Sequence, residues 1–148
     1  MADQEIARRA RDEMEIRNLV ARLAQLADDG GVEEYVALFA EDASWQGAPG
    51  PGPGGKSYNQ VRRGHAEIRA GAKERLASGI QGPNSHTHHV VTNTVVWLSG
   101  DTARGKSFYI YFINTNGKPE VDRMGVYHDE FRRTPGGWKM AKRMIVPG

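Results

Sequence analysis

Two acidic residues and one histidine-rich stretch have the types and spacing that suit proton-transfer chemistry. Asp28 and Asp29 close a stretch with helical periodicity, and the eight residues from His86 to Asn93 begin a strand-like segment about sixty residues later. A carboxylate that orients a neutral imidazole, and stabilises it once protonated, makes a general base that works near neutral pH. A contact between Asp28 and a histidine of this stretch would therefore indicate proton abstraction.

The acidic pair must be positioned by a helix, which the spacing predicts from Asp12 to Ala27. We expect Gly30 and Gly31 to end this helix, because glycine tolerates the left-handed turn that is common at helix ends. A second, short helix is predicted from Val32 to Ala40. The residues that form the apolar stripe of the first helix recur at spacings of three and four, and they are Ile16, Leu19, Val20, Leu23, Leu26 and Ala27.

The central part of the chain predicts a loop followed by a third helix. Residues 43–45 suit a brief strand, whereas residues 47–55 contain five glycines and three prolines. That composition supports neither a helix nor a central strand, so we expect a flexible loop that is either an insertion or a cover over a pocket. A third helix is predicted from Gly64 to Ala77, because Ile68, Ala72 and Leu76 recur at a spacing of four.

The histidine-rich stretch opens a region with strand-like composition. Val, Ile, Thr, Tyr, Phe and Trp are frequent there, and short turn sequences rich in glycine, asparagine and proline divide the region. An antiparallel meander of about four strands follows, with boundaries 88–98, 102–113, 121–133 and 138–146. Helices followed by a hairpin-linked sheet predict an α+β fold in which the helices cover one face of a curved, mostly antiparallel sheet.

Length and composition limit the class of protein. The chain has 148 residues, which predicts one domain over 1–148 with a core at about 12–146. Twenty basic and 18 acidic side chains give a net charge of +2 without a massed basic patch, so nucleic-acid binding is not indicated. Cysteine is absent, which excludes disulfides and thiolate chemistry. With no apolar leader or membrane span, we expect an unprocessed, soluble, cytoplasmic protein without a membrane partner.

The order of elements and several local motifs resemble the SnoaL-like branch of the nuclear-transport-factor-2-like (NTF2-like) superfamily. The motifs are the Leu-Phe-Ala-Glu-Asp-Ala sequence at 38–43, Gly64 leading the third helix, the segment from His89 to Asn93, and Gly-Gly-Trp at 136–138. The resemblance covers about residues 12–146. It implies a cone-shaped α+β fold with three helices in the N-terminal half and a pocket between the helices and the sheet.

The resemblance also implies which residues do chemistry, although fold alone does not name a reaction. Relatives include scytalone dehydratase, hexachlorocyclohexane dehydrochlorinase, bile-acid dehydratases, ketosteroid isomerase, polyketide cyclases and members without catalytic activity. The catalytic Asp and His of the dehydratase and dehydrochlorinase group match Asp28 and His89. Ketosteroid isomerase is disfavoured, because its base falls near Gly47 and its oxyanion tyrosine at Leu23. Asp29 is expected at the surface or in a supporting hydrogen bond.

Further residues are candidates for substrate binding. Strand alternation puts Val91, Asn93, Val95 and Trp97 on the face of His89, so Asn93 is expected near the base. His128 is expected either in the pocket as an acid or on the outside. Lys142 and Arg143 lie on opposite faces of the last strand, and the inward one would polarise a leaving or carbonyl group. The substrate-binding candidates are Asn93, Trp45, Tyr127, His128 and Arg143.

These patterns predict a cofactor-independent lyase or isomerase, of dehydratase or elimination type. Asp28 and His89 would act together on a hydrophobic small molecule such as a steroid, polyketide or aromatic metabolite. A non-catalytic binding or assembly module of the same fold is the alternative. A metal site at His86 and His88 ranks last, because no third ligand lies at a recognisable spacing. We also expect a homo-oligomer, a dimer or trimer, that associates through the outer sheet face.

Overall fold

The computed structural model describes residues 1–47 and 60–148, in which three helices pack against a curved six-stranded sheet. The predicted α+β architecture is confirmed. In chain order the elements are α1 (Ala2–Asp29), α2 (Val32–Ala37), β1 (Phe39–Gln46), β2 (Val61–Arg63), α3 (Gly64–Ala77), β3 (His88–Ser99), β4 (Thr102–Ile113), β5 (Glu120–Thr134) and β6 (Gly137–Pro147).

The sheet has the strand order β2-β1-β6-β5-β4-β3. Strands β3 to β6 form the predicted antiparallel meander, in which each strand pairs with the next along the chain. Strand β1 was predicted only as a brief strand, but it runs parallel to β6 and pairs with β2 on its other side. This arrangement places the C-terminal strand in the middle of the sheet, between the two halves of the chain.

Helix α1 is longer than its apolar periodicity predicts. It begins at Ala2 rather than near Asp12, and its first ten residues are exposed. These residues are mostly Ala, Arg, Glu and Gln, which are good helix formers without an apolar stripe, so a search for periodicity cannot find them. Among the described residues, no helix combines the length and the apolar character needed to cross a membrane.

The join between the helices and the sheet also differs from expectation. Helix α2 ends at Ala37, and Phe39 and Ala40 belong to β1 instead. Gly30 has an extended backbone rather than a left-handed one, so the prediction that glycine is needed here for a left-handed turn was wrong. A Cβ atom at Gly30 would lie 2.3 Å from Leu26 Cδ2, and close packing is therefore the reason. The predicted loop lies outside the described residues from position 48 onward.

A buried carboxylate fixes α1 onto the end of the sheet. Asp12 accepts hydrogen bonds from Trp138 Nε1 at 3.1 Å and from Arg133 Nη2 at 2.6 Å. The Arg133 guanidinium, more than any other group, holds the pKa of Asp12 below its ordinary value. Trp138 is 3% exposed and belongs to the hydrophobic core. This anchor holds the helix that carries Asp28 in a fixed position over the strands.

Strand β3 contains a bulge that changes which residues face inward. Its register with β4 shifts between Thr92 and Val95, and Asn93 adopts a φ of 53°. An extra residue in one strand reverses the alternation beyond it. Val95 and Trp97 therefore point away from the helices and are 47% and 49% exposed, which corrects their predicted place on the face of His89.

Candidate active site

Asp28 and His89 meet between the end of α1 and the start of β3. His89 Nδ1 lies 2.6 Å from Asp28 Oδ1, and the backbone N–H of His89 donates to Asp28 Oδ2 at 2.8 Å. The Asp28 side chain is 6% exposed and the His89 side chain 18% exposed. Two hydrogen bonds from one residue fix the carboxylate plane relative to the imidazole ring.

The carboxylate selects one tautomer of the imidazole. An ionised carboxylate only accepts hydrogen bonds, so Nδ1 of His89 must carry the hydrogen that it shares with Asp28. In a neutral ring, Nε2 is then the unprotonated nitrogen. The ring packs against Tyr111, with centroids 4.9 Å apart and a tilt of 46°, which limits its rotation. The arrangement therefore presents Nε2 as a fixed proton acceptor.

His88 also approaches the carboxylate, which the strand alternation did not predict. Its Nδ1 lies 3.4 Å from Asp28 Oδ2, although 58% of its side chain is exposed. Asp28 therefore faces two neighbouring imidazoles, one directed inward and one at the surface. Within residues 1–47 and 60–148, no three histidine or acidic side chains are placed to hold a metal ion together.

His89 opens into a cavity of about 110 Å³ between the helices and the inner sheet face. A cavity of this order holds roughly one aromatic ring. Aromatic and aliphatic side chains form most of its wall, with a few polar groups among them. The lining residues are Leu23, Ala24, Ala27, Tyr35, Trp45, Gly47, Arg75, Ile80, Gln81, His89, Tyr109, Tyr111, Arg123, Tyr127, Arg143 and Ile145.

Arg143 is the inward member of the pair that strand alternation left open. Its side chain is 5% exposed, and its Nε and Nη2 donate to the buried carboxylate of Asp129 at 2.9 and 2.8 Å. Burial alone would lower the pKa of Arg143, but the charge and hydrogen bonds of Asp129 raise it above its ordinary value. Lys142 points outward, 3.8 Å from Glu130. The cavity wall thus contains a permanently charged donor group.

Stacked tyrosines support this guanidinium. Arg143 lies 3.9 Å above the ring of Tyr127, which stacks on Tyr109 with centroids 4.5 Å apart. Burial raises the pKa of Tyr109 and Tyr127 above the ordinary value, so both remain phenols at neutral pH. Gly125 is required beside the stack, because a Cβ atom there would lie 2.5 Å from Tyr109 Cε1. The stack is a rigid wall that carries phenol groups.

The substrate-binding candidates separate into two sets. Trp45, Tyr127 and Arg143 line the same cavity as His89. Asn93 is exposed at the bulge and accepts a hydrogen bond from the Thr92 hydroxyl, so its expected place near the base was wrong. His128 was expected either in the pocket or on the outside, and it is exposed on the outer sheet face. Alternation along an irregular strand misplaced Asn93, because the bulge has no clear sequence signal.

Sequence reasoning missed several residues of the cavity wall, and also the partner of Arg143. That partner, Asp129, was not singled out, although it alternates inward with Tyr127 on β5. Arg75, Gln81 and Arg123 were missed because they lie on a helix end, a turn and a strand, where polar side chains are usually at the surface. Inward alternation on β4 would have placed Tyr109 and Tyr111 in the wall, but not distinguished them from core residues.

Solved structures share this architecture. An NTF2-like protein with a cystatin-like fold from Novosphingobium aromaticivorans aligns with a TM-score of 0.81 and 27% identity, over 97% of this chain and 86% of that chain. A candidate aromatic ring hydroxylase from the same species gives 0.72 and 27%, over 93% and 90%. A candidate scytalone dehydratase from it gives 0.73 over 100% and 89%, and its 20% identity shows a common fold alone.

Sequence comparison gives a family and no more specific relative. A search of curated protein sequences found no match. The model of the SnoaL-like domain matches residues 8–144, which include most of α1, the other helices, nearly all of the sheet, and Asp28, His89 and Arg143. The predicted resemblance to the SnoaL-like and NTF2-like proteins is confirmed by this match and by the structural neighbours. The chain belongs to the SnoaL-like domain family.

Proposed function

We propose that this protein is a cofactor-independent lyase or isomerase that uses Asp28 and His89 to remove a proton from carbon. The observation that carries the proposal is the 2.6 Å contact between Asp28 Oδ1 and His89 Nδ1 at the wall of an aromatic cavity. A general base must reach its proton and must be held in the correct tautomer. A histidine that lines the cavity and whose Nδ1 is bound to a buried carboxylate supports this role.

In the proposed elimination, Nε2 of His89 accepts a proton from a carbon next to an activating group. The electrons of that C–H bond form a carbon–carbon double bond as the bond to the leaving group breaks. The leaving group departs as halide, or as water once it has taken up a proton from the imidazolium. In an isomerisation, the imidazolium returns the proton to another carbon instead. The Asp28 carboxylate stabilises the imidazolium in both cases.

Arg143 supplies the positive charge that this chemistry needs opposite the base. Negative charge develops on the activating carbonyl or on the leaving group during proton removal, and a preorganised cation in a low-dielectric site stabilises it. Because Asp129 holds the guanidinium through Nε and Nη2, the Nη1 group remains for a substrate oxygen or halide. We assign Arg143 this role and assign Trp45 and Tyr127 to binding an apolar ring.

The cavity wall favours a hydrophobic small molecule with at least one unsaturated ring. Tyr35, Trp45, Tyr109, Tyr111 and Tyr127 all line the cavity. Aromatic side chains bind flat apolar rings through stacked and edge-on contacts. The name of one structural relative, a candidate aromatic ring hydroxylase, refers to an aromatic ring and supports this substrate class.

A turnover screen tests the proposal against a non-catalytic binding module. We expect the protein to dehydrate or dehydrohalogenate a member of a panel of β-hydroxy ketones and halides that carry one ring, measured by the absorbance of the conjugated product. His89→Ala should remove this turnover while still binding the same compounds, because the remaining wall is intact. Equal turnover in His89→Ala and the unaltered protein would contradict the proposed base. Binding across the panel without turnover would favour the binding module.

The outer sheet face supports the proposed association with a second copy. Five large apolar side chains on this face are between 42% and 52% exposed, and they are Val90, Val95, Trp97, Phe108 and Met124. The register places Val90 beside Ile110 and Ile110 beside Met124, so the patch crosses three strands. An apolar patch of this extent is typical of an interaction surface.

Light scattering after size-exclusion chromatography tests this association. We expect the mass of a dimer or trimer for the unaltered protein, and a shift toward the monomer for Phe108→Glu, because a charge at the patch centre opposes burial. Ile6→Glu is a matched control, since Ile6 is exposed on the N-terminal part of α1. A monomeric unaltered protein, or equal shifts in both variants, would contradict the proposal.

A further inference from the structure

The cationic side chains of the cavity wall differ in how their charges are compensated. Arg143 is paired with Asp129, and Arg123 with its neighbour Asp122. Arg75 also lines the cavity, yet no carboxylate lies within salt-bridge distance of it among the described residues. The undescribed residues 48–59 contain neither Asp nor Glu, so they supply no acidic partner either. Arg75 is therefore the cation in this wall that lacks a protein anion.

The contacts of Arg75 orient its guanidinium without neutralising it. Its Nε donates to Gln81 Oε1 at 3.2 Å, and its Cζ lies 4.5 Å from the centre of the Trp45 ring. Neither partner carries a negative charge. In the described part of the chain, the two terminal nitrogens have no hydrogen-bond acceptor, although the residue is half-buried. A guanidinium in this position has a pair of parallel donors available for a planar anion.

A second guanidinium, that of Arg62, lies beside Arg75. Arg62 and Arg75 both pack against Gly71. A Cβ atom at Gly71 would lie 3.2 Å from Arg75 Nη1 and 3.3 Å from Arg62 Nε. Arg62 is paired with Glu74 at 2.6 Å, so its own charge is compensated. Two guanidinium groups therefore lie at this corner, and among the described residues only that of Arg62 has a carboxylate partner. A buried or half-buried cation is stable when an anion accompanies it.

We propose that Arg75 binds a carboxylate group of the substrate, so that the ligand is an aromatic or cyclic carboxylic acid. This inference rests on the proposed function for the identity of the cavity as the substrate site. The carboxylate pairs with the terminal nitrogens of Arg75 while the ring lies beside Trp45 and the tyrosines. A single planar guanidinium matches a carboxylate in its fork geometry. Arg75 thereby fixes which end of the ligand faces away from the base.

The test compares benzoate with benzamide, which have nearly the same shape and differ in charge. Dissociation constants are measured by calorimetry at low ionic strength for the unaltered protein and for Arg75→Gln, Arg75→Lys and Arg62→Gln. We expect the unaltered protein to bind benzoate roughly tenfold more tightly than benzamide, as a partly buried ion pair implies. Arg75→Gln should abolish that preference. Arg75→Lys should keep part of it, because the charge remains but the fork is lost.

Arg62→Gln is the matched control, since it removes a neighbouring arginine that already has an acidic partner. We expect the preference for benzoate to persist in it. The proposal is overturned if the unaltered protein binds the two compounds equally, if benzoate does not bind below about 10 mM, or if Arg75→Gln retains the preference. Circular dichroism establishes that each variant is folded before binding is compared.

The same titrations in His89→Ala separate this inference from the proposed function. The preference for benzoate should survive there, because the base is not needed for binding. If no elimination substrate is found but Arg75→Gln loses the preference, the carboxylate site stands and the catalytic proposal fails. If the protein catalyses elimination of neutral compounds and binds benzoate no more tightly than benzamide, the catalytic proposal stands and the carboxylate site fails.

Discussion

Asp28→Asn should lower the kcat of the elimination by about two to four orders of magnitude, the range that general-base and tautomer losses reach in other enzymes. An asparagine still fits between α1 and β3 and accepts the backbone N–H of His89. Its amide hydrogens, however, favour the His89 tautomer in which Nδ1 accepts and Nε2 carries the hydrogen. The imidazolium would also lose its counter-charge. The measurement is steady-state turnover of the best substrate from the screen.

Asp29→Asn is the matched control for this substitution. Asp29 is the next residue of α1 and is exposed, so the same chemical change is made one position away from the cavity. We expect its kcat to stay within about twofold of the unaltered protein, since surface changes away from special features have small effects. If both variants lose activity equally, the loss reflects a changed helix end rather than the dyad, and the account of Asp28 is wrong.

Asp129→Asn should destabilise the fold by about 3–5 kcal/mol, because it leaves the Arg143 charge buried without its partner. The side chains of this pair are 1% and 5% exposed, so water cannot replace the lost carboxylate. For a chain of this length, such a change lowers the Tm by roughly 10 °C. The measurement is thermal unfolding followed by circular dichroism, with urea unfolding to obtain the free energy.

Glu130→Gln is the matched control on the same strand. Glu130 is exposed and lies 3.8 Å from Lys142, and a surface pair of this kind contributes less than about 1 kcal/mol. The double variant Asp129→Leu, Arg143→Met removes both buried charges and should recover much of the lost stability. If Asp129→Asn unfolds at the same temperature as Glu130→Gln, Arg143 does not depend on Asp129 as a buried ion pair.

The sequence predicts the strands of the meander almost to the residue, because period-two alternation and glycine-rich turns are both local signals. Strand β4 was predicted with its observed bounds, and α3 likewise. The parallel pairing of β1 with β6 was not predicted, because it joins segments that are far apart in the sequence, such as Phe39 and Met140. The start of α1 was missed because that part of the helix buries no apolar face.

The part of the site that residue types and motifs identify was predicted from the sequence. The part that depends on strand register and on the packing of distant segments was missed. The pairing of Asp28 with His89 was expected from the family resemblance and is present in the structure. Arg143 was one of two alternatives, and only the register of β6 distinguishes it from Lys142. Asn93 was misplaced by a bulge, which depends on pairing with β4. Arg75 and Asp129 could not be singled out, because the proposed role of Arg75 depends on the cavity beside it and that of Asp129 on its pairing with Arg143.

The most direct test of the central claim is the tautomer of His89, read by 15N NMR of the imidazole nitrogens at a pH where the ring is neutral. His89→Gln assigns the signals among the five histidines. The account predicts hydrogen on Nδ1 and an unprotonated Nε2, with the balance shifting toward Nε2–H in Asp28→Asn. An unaltered protein with hydrogen on Nε2, or a tautomer that does not respond to Asp28→Asn, would contradict Asp28 as the group that prepares the base.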